Sequence, residues 1–163
     1  MLATTDNPAP RTVEGFVLRV PGPPGGKGRP RFDGRTRRTY TPPATVRREG
    51  AIVAAWRDVG EPRLPDDQAL GIYLDVVVVR PASHWRRDGT LSAEGLRHPL
   101  PRTQKPDLDN AVKLVMDALN GRAYRDDVRV ARLTAERMWG RWPETVVCVF
   151  AIDTAARSGK TAL

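Results

Sequence analysis

The sequence predicts an α/β (α+β) domain, a small mixed sheet of about four strands with two main helices. Strand-like apolar runs early and late in the chain, two amphipathic helical segments between them, and many turn residues predict this class. At 163 residues the chain is long enough for one buried core. We expect one domain over residues 14–153, a loose leader at 1–13 and a disordered tail at 154–163.

The first half of the chain predicts two strands and one helix. Residues 16–20 form an apolar run that ends at a proline-rich turn. Pro42 and Pro43 suit the first turn of a helix, and the apolar stripe that follows continues at helical spacing to Gly60. Residues 72–79 end in four consecutive valines, which indicates a strand buried on both faces.

The second half predicts one more helix and two more strands. Apolar residues of the 108–119 segment recur on one helical face, and Asn120-Gly121 is a suitable stop. Residues 127–138 and 145–152 are predicted to form an antiparallel pair. Residues 80–105 show no periodicity, which indicates a long functional loop.

The charge of the chain favours an anionic partner. Lys and Arg number 27 against 19 Asp and Glu, a formal net charge of +8, and this favours nucleic acid over a membrane. Cys148 is the only cysteine and is predicted to be a buried strand residue, so one chain cannot form a disulfide or a cysteine-based zinc site. No signal peptide or membrane span is recognisable, and a cytoplasmic location is expected.

An acidic cluster around the second helix predicts a metal site. Pro106 is expected to place Asp107 at the helix cap, where it can lie beside Asp109, while Asp127 approaches from a neighbouring element. Carboxylates suit Mg²⁺, which keeps open positions for water and a substrate phosphate. On so basic a chain, this arrangement is typical of a metal-dependent nuclease.

Simpler interpretations remain open at this stage. Asp107 is a natural helix cap, Asp109 and Lys113 have the spacing of a surface ion pair, and Asp126-Asp127 fits a turn. The chain could therefore be a non-catalytic DNA-binding module. A third hypothesis is a metal-dependent nucleotidyltransferase or glycosyltransferase that uses Asp107 and Asp109 to hold a metal–diphosphate.

One motif extends over the second helix and the acidic pair that follows it. It comprises residues 105–110 (Lys-Pro-Asp-Leu-Asp-Asn), Lys113, residues 117–121 and the Tyr-Arg-Asp-Asp run at 124–127. This central motif closely resembles the RusA family of Holliday junction resolvases. The resemblance extends more weakly to the early glycine-rich basic loop. The resemblance implies a homodimeric crossover junction endodeoxyribonuclease that uses Mg²⁺, for which Mn²⁺ can substitute, and nicks four-way DNA junctions symmetrically without a nucleotide cofactor.

The resemblance also implies residue roles. Asp107, Asp109 and Asp127 match the metal ligands, with Asp126 as an alternative to Asp127, and Lys113 matches the catalytic lysine. His84, His98 and Trp85 lie in a long insertion whose effect on substrate preference stays open. Both histidines are expected to be exposed or DNA-facing rather than metal ligands, and Trp85 to stack on a base or pack on the body. Independently of the resemblance, basic residues cluster in loops on either side of the acidic motif, and this clustering predicts DNA binding by Lys27, Arg29, Arg31, Arg37, Arg38, Arg86, Arg87, Arg102 and Lys105.

Overall fold

The computed structural model describes residues 14–101 and 107–152. Within them lie six strands, three α-helices and 3₁₀ turns at Ala82–His84 and Asp127–Arg129. The strands are β1 (Gly15–Pro21), β2 (Arg31–Asp33), β3 (Arg38–Tyr40), β4 (Leu70–Val79), β5 (Val130–Gly140) and β6 (Glu144–Ala151). The helices are α1 (Pro43–Asp58), α2 (Ala93–Arg97) and α3 (Leu108–Leu119).

The core lies between one face of a four-stranded mixed sheet and the two long helices. The strand order is β1-β6-β4-β5, and α1 packs against α3 and β1. Alternate residues of the strands point into this core, so that Leu18, Ile72, Leu74 and Val149 are almost completely buried. The predicted mixed sheet of four strands and the two main helices are confirmed.

Helix α3 has the predicted bounds but buries a somewhat different face. Ala111, Leu114 and Ala118 are buried in the core together with Val115 and Leu119. Leu108, Val112 and Met116, which the apolar pattern placed on the buried face, are only partly buried at its margin. Gly121 has φ 70°, a left-handed conformation that favours glycine and ends the helix as predicted.

The predicted antiparallel pairing of the last two strands is wrong. Strand β4 lies between them and pairs in parallel with β5 and antiparallel with β6. Residues 141–143 therefore cross the end of β4 instead of forming a hairpin turn. The physical reason is burial, since β6 in an interior position places Val147 and Val149 under the helices with 0% of their surface exposed.

The segment predicted to be a loop without regular structure is partly ordered. Between β4 and residue 101 it contains the 3₁₀ turn Ala82–His84, a bridge between Trp85 and Leu91, and helix α2. His84 and His98 are buried, with 6% and 8% of their surface exposed, so the expectation that they are exposed or face DNA is wrong. Because α2 has only five residues, it leaves no periodic pattern in the sequence.

The outer face of the sheet is open. Cys148 points to this side and is only partly buried, which corrects the expectation of a core cysteine, and burial raises the pKa of its thiol. The rings of Tyr73 and Phe150 stack there with centroids 5.2 Å apart. No helix among the described residues is both long and apolar enough to span a bilayer.

Candidate functional site

Asp107 and Asp109 lie at the start of α3. Asp107 is the N-cap residue with an extended backbone (φ −61°, ψ 144°), and its carbonyl accepts the first hydrogen bond of the helix from the Ala111 N–H at 3.1 Å. Its side chain accepts no capping bond, although a cap was the simpler interpretation of this residue. The exposed carboxylate of Asp107 is therefore available to a ligand, and Asn110 Nδ2 lies 3.5 Å from it.

Asp109 is exposed one residue into the helix. Lys113 Nζ lies 3.4 Å from Asp109 Oδ2, as expected for side chains four residues apart on a helix. The side chain of Asp109 is 66% exposed, and that of Lys113 is 63% exposed. The surface ion pair considered from the sequence is therefore present, but it leaves both groups open to solvent, and the ammonium group can also approach an incoming anion.

The later acidic pair has two different environments. Asp126 Oδ1 accepts a hydrogen bond from the Val128 N–H at 3.1 Å and caps the 3₁₀ turn that follows. Asp127 lies within that turn, before β5 rather than at the start of a strand as predicted, and it is partly buried. This difference favours Asp127 over Asp126 as the acid that is free to bind a ligand.

Asp127 is close to the body of α3. The hydroxyl of Tyr124 donates to the carbonyl of Met116 at 3.1 Å, which attaches the turn to the helix. Burial raises the pKa of Tyr124, and the negative charge of Asp127 raises it further. The third acid thus lies beside the same helix that begins with the first two.

The three carboxylates are not drawn tightly together in this conformation. Over residues 14–101 and 107–152, one group of three metal-capable side chains has ligand atoms all within 4.8 Å, and it consists of His84, Glu94 and His98. The donors of Asp107, Asp109 and Asp127 are nevertheless carboxylate oxygens, which Mg²⁺ prefers. The donor chemistry fits Mg²⁺, and binding one ion to all three would require the carboxylates to approach one another.

The glycine-rich basic loop lies against the same helix. The Lys27 N–H donates to the Asn110 carbonyl at 2.9 Å, and its ammonium group binds Asp117. The Gly28 N–H donates to Thr45 Oγ1 at 3.0 Å, which fixes the loop to α1. The loop and Asp107 therefore border one cleft of about 470 Å³, lined by Pro24, Gly26, Lys27, Gly28, Arg48, Asp107 and Asn110.

Arg48 is a residue of this cleft that the sequence did not reveal. Its side chain crosses the loop so closely that a Cβ on Gly25 would lie 2.0 Å from Arg48 Cδ. A side chain at position 25 would therefore displace that of Arg48. Arg48 belongs to the polar face of α1, and helical spacing alone could not indicate which segment that face would meet.

The predicted DNA-binding arginines of the first half lie on a small exposed hairpin that the sequence did not predict. Strands β2 and β3 pair antiparallel, and we call residues 31–40 the basic hairpin. Phe32 is 67% exposed on it. The side-chain hydroxyl of Thr36 and the Arg35 N–H donate to Asp33, which lowers the pKa of that carboxyl. Arg29, Arg31, Arg37 and Arg38 are all exposed on the hairpin or just before it.

The second basic region lies in the 80–101 segment. Arg86 and Arg87 are exposed between the bridged residues Trp85 and Leu91. The guanidinium of Arg80 lies 5.8 Å from the Trp85 ring centroid, yet 46% of Trp85 remains exposed, so this ring packs on the body and stays accessible. Arg102 and Lys105, also predicted to bind DNA, lie outside the described residues.

Comparison with known proteins identifies the family of this chain. The family described as "Endodeoxyribonuclease RusA" matches residues 21–149, a range that includes the acidic start of α3, the basic loop and the basic hairpin. A Bacillus subtilis (strain 168) protein, "Uncharacterized protein YqaN", is 32% identical over 136 residues, which cover 80% of this chain and 92% of that protein. The family match covers most of the chain and confirms the resemblance read from the central motif. This chain belongs to the RusA endodeoxyribonuclease family.

Proposed function

We propose that this protein is a Mg²⁺-dependent, structure-specific endodeoxyribonuclease that resolves four-way DNA junctions by paired symmetric nicks in recombination and repair. The main support is the family match, because it spans the acidic start of α3 and the basic loop in one continuous region. The contact between Lys27 and Asn110 brings these two parts of the chain together. Phosphodiester cleavage by a metal ion needs carboxylates that hold the cation next to groups that bind the phosphate. The start of α3 would supply the carboxylates, and the basic loop would bind the phosphate.

We assign the metal to Asp107, Asp109 and Asp127. A bound Mg²⁺ would activate a water molecule and neutralise charge on the scissile phosphate. Asp107 and Asp109 offer exposed carboxylates at the start of α3, and the cap formed by Asp126 leaves Asp127 as the free acid of the later pair. The role of these residues in this proposal is to hold the ion against the phosphate.

Lys113 and the basic loop would act on the substrate itself. Lys113 lies one turn beyond Asp109 with its ammonium group largely exposed. We assign it the stabilisation of the negative charge that develops on the phosphate oxygens during cleavage. Arg48 lines the cleft beside Asp107, where it can bind a neighbouring phosphate and orient the strand. Lys27 can do the same once a phosphate displaces Asp117 from its ammonium group.

Paired nicking requires two active sites, which we attribute to a homodimer. Closed two-fold dimers are the commonest oligomers and match the approximate two-fold symmetry of the substrate. The apolar face of α3 is used by the core of a single chain. The outer face of the sheet remains available, and Val17 and Tyr73 are 50% and 43% exposed on it.

Cleavage of a cruciform in supercoiled plasmid DNA tests this function. With Mg²⁺ the protein should convert the plasmid to linear product, since two nicks within the lifetime of one complex linearise it, and EDTA should abolish the reaction. The active species should have a mass of about 36 kDa by light scattering, twice the 18.0 kDa of the chain. Nicked circles without linear product would contradict paired nicking, and no cleavage in Mg²⁺ or Mn²⁺ would refute the enzyme.

The basic hairpin should contribute phosphate contacts. Arg37 has φ 51°, so glycine is the substitution that keeps its backbone unstrained, whereas Arg38 can be changed to alanine. If each arginine contacts one phosphate, an Arg37→Gly/Arg38→Ala protein should bind junctions with a salt slope smaller by about 1.8. Arg57→Ala, an exposed arginine paired with Glu61 at the end of α1, is the control. An unchanged slope in the double variant would exclude the hairpin from the interface.

A further inference from the structure

A cluster of two histidines and one glutamate lies apart from the proposed active site. His98 Nε2 is 2.8 Å from Glu94 Oε1, and the rings of His84 and His98 stack with centroids 5.4 Å apart. One ligand atom from each of His84, Glu94 and His98 lies within 4.8 Å of the other two. The chain contains two histidines in all, and both belong to this cluster.

Several contacts bring the three side chains together. His84 ends a 3₁₀ turn, and its carbonyl accepts a hydrogen bond from the Ser92 N–H at 2.9 Å just before α2 begins. Glu94 lies in α2, and His98 follows directly after the helix ends at Arg97, where its side chain reaches that of Glu94. Gly95 permits the close packing, since a Cβ there would lie 2.3 Å from the His84 carbonyl oxygen.

His84 carries a buried polar atom that ordinary packing does not explain. The residue is only 6% exposed, and its Nδ1 atom finds no hydrogen-bond partner among residues 14–101 and 107–152. Leaving a buried polar group without a partner has a free-energy cost. An ion pair between Glu94 and His98 beside a stacked ring would leave this cost unexplained, whereas coordination of a metal by the ring would account for a buried histidine here.

We propose that His84, Glu94 and His98 bind a divalent transition-metal ion of the Zn²⁺ type. Imidazole nitrogen selects such ions over Mg²⁺ or Ca²⁺, and two histidines with one carboxylate form a common tetrahedral zinc set with one position left for water. Ligands of a tetrahedral zinc ion lie roughly 3.4 Å apart, so atoms within 4.8 Å need shifts of about 1–1.5 Å. The side chain of Glu94 is 48% exposed and gives the ion a path from solvent.

The cluster shares no residue with the proposed Mg²⁺ site. Trp139 Nε1 donates to the His98 carbonyl at 3.0 Å, and the ring of His84 packs edge-on against Trp139 at 5.5 Å. Trp139 lies near the end of β5, nine residues beyond Val130, which is roughly 30 Å along the strand from the turn that holds Asp127. The cluster is therefore far along β5 from Asp127, the third of the proposed Mg²⁺ ligands.

The metal would stabilise a segment that has little core of its own. The 3₁₀ turn and α2 contribute His84, Gly95 and His98 as buried residues, and short elements of this kind are commonly stabilised by a metal ion. The same segment displays Arg86 and Arg87 between the ligand positions. Zn²⁺ binding would therefore order the second basic region, and this role does not depend on whether the protein cuts DNA.

Imidazole NMR spectra of the metal-free full-length chain test the site directly. Because both histidines of the chain are proposed ligands, two sets of ring resonances report on the site without assignment by mutation. In excess Mg²⁺, the addition of Zn²⁺ should shift both sets and saturate at one ion per chain, and it should raise the melting temperature. Mg²⁺ alone should leave both rings unshifted. Histidine resonances that do not respond to Zn²⁺ would refute the proposal.

A matched pair of variants separates the site from general ion binding. Glu94→Gln should weaken Zn²⁺ at least ~100-fold, since even the loss of a residue that only supports a ligand costs 10–100-fold. Glu136→Gln removes an exposed carboxylate of β5 outside the cluster and should leave the affinity unchanged. Because Glu94 is half-exposed, its variant should fold, and dispersed backbone resonances would verify this. A folded Glu94→Gln protein that binds Zn²⁺ as tightly as the wild type would overturn the site.

Discussion

Replacing Asp109 with asparagine should reduce cleavage of four-way junctions at least ~100-fold, on the scale of losing a main electrostatic contributor to catalysis. Asparagine keeps the shape of the side chain but removes one negative charge from the proposed metal site. The carboxylate is 66% exposed and contacts Lys113 alone among the contacts described for it, so the fold should be unaffected. Junction binding should persist or tighten, because less negative charge would face the phosphates.

Single-turnover cleavage in Mg²⁺ and junction binding without metal measure the two effects separately. Asp66→Asn is a suitable control, because Asp66 is an exposed aspartate in the loop before β4 and should affect neither quantity. Cleavage by the Asp109→Asn protein at a rate near that of the wild type would remove Asp109 from the site. Equal loss of binding and cleavage would instead indicate that the change disturbs the surface that holds the DNA.

Substitution of Lys113 by alanine should abolish turnover with little change in stability. An exposed pair four residues apart on a helix contributes only about 0.3–0.5 kcal/mol, which corresponds to a shift in melting temperature of about 1–2 °C. The distance of 3.4 Å to Asp109 and the exposure of the ammonium group place this pair in that class. If Lys113 stabilises the charge that develops on the phosphate, its loss affects the rate far more than the fold.

Arg57→Ala provides the matched comparison for this prediction. Arg57 and Glu61 form a pair of the same spacing, 3.6 Å apart, at the exposed end of α1. Both variants should melt close to the wild type, and only Lys113→Ala should lose cleavage. A Lys113→Ala protein that melts distinctly lower and still cuts junctions would show that the lysine has a structural role.

An element of the fold could be predicted where the spacing of apolar residues within one continuous segment of the sequence defines it. Helix α3 and strand β4 are examples, since the spacing of apolar residues alone defines them. The pairing of β5 and β6 was not predictable in this way, because a three-residue connection also suits a hairpin. The intervening position of β4 is decided by burial in the assembled sheet, which neither strand shows by itself.

The same limit applies to the candidate site. The spacing of Asp107, Asp109 and Lys113 is local and was visible in the sequence. The ion pair of Lys27 with Asp117 joins residues 90 positions apart, and the two buried histidines meet through a short helix without periodicity. Contacts of this kind depend on the tertiary fold. Clustering of arginines indicated the basic regions, but the backbone pairing that displays them on the basic hairpin was not visible.

The interior position of β6 has a consequence for the order of synthesis. This strand is the sheet partner of β1 and also one of the two neighbours of β4, yet it is the last strand of the described chain to leave the ribosome. Until residue 151 is available, β1 lacks its place in the sheet, and the layer that supports α3 is incomplete. Helix α3, which begins with Asp107 and Asp109, is therefore synthesised before the sheet on which it packs can be completed. A nascent chain should therefore remain unable to cut nearby DNA until the whole domain has been translated.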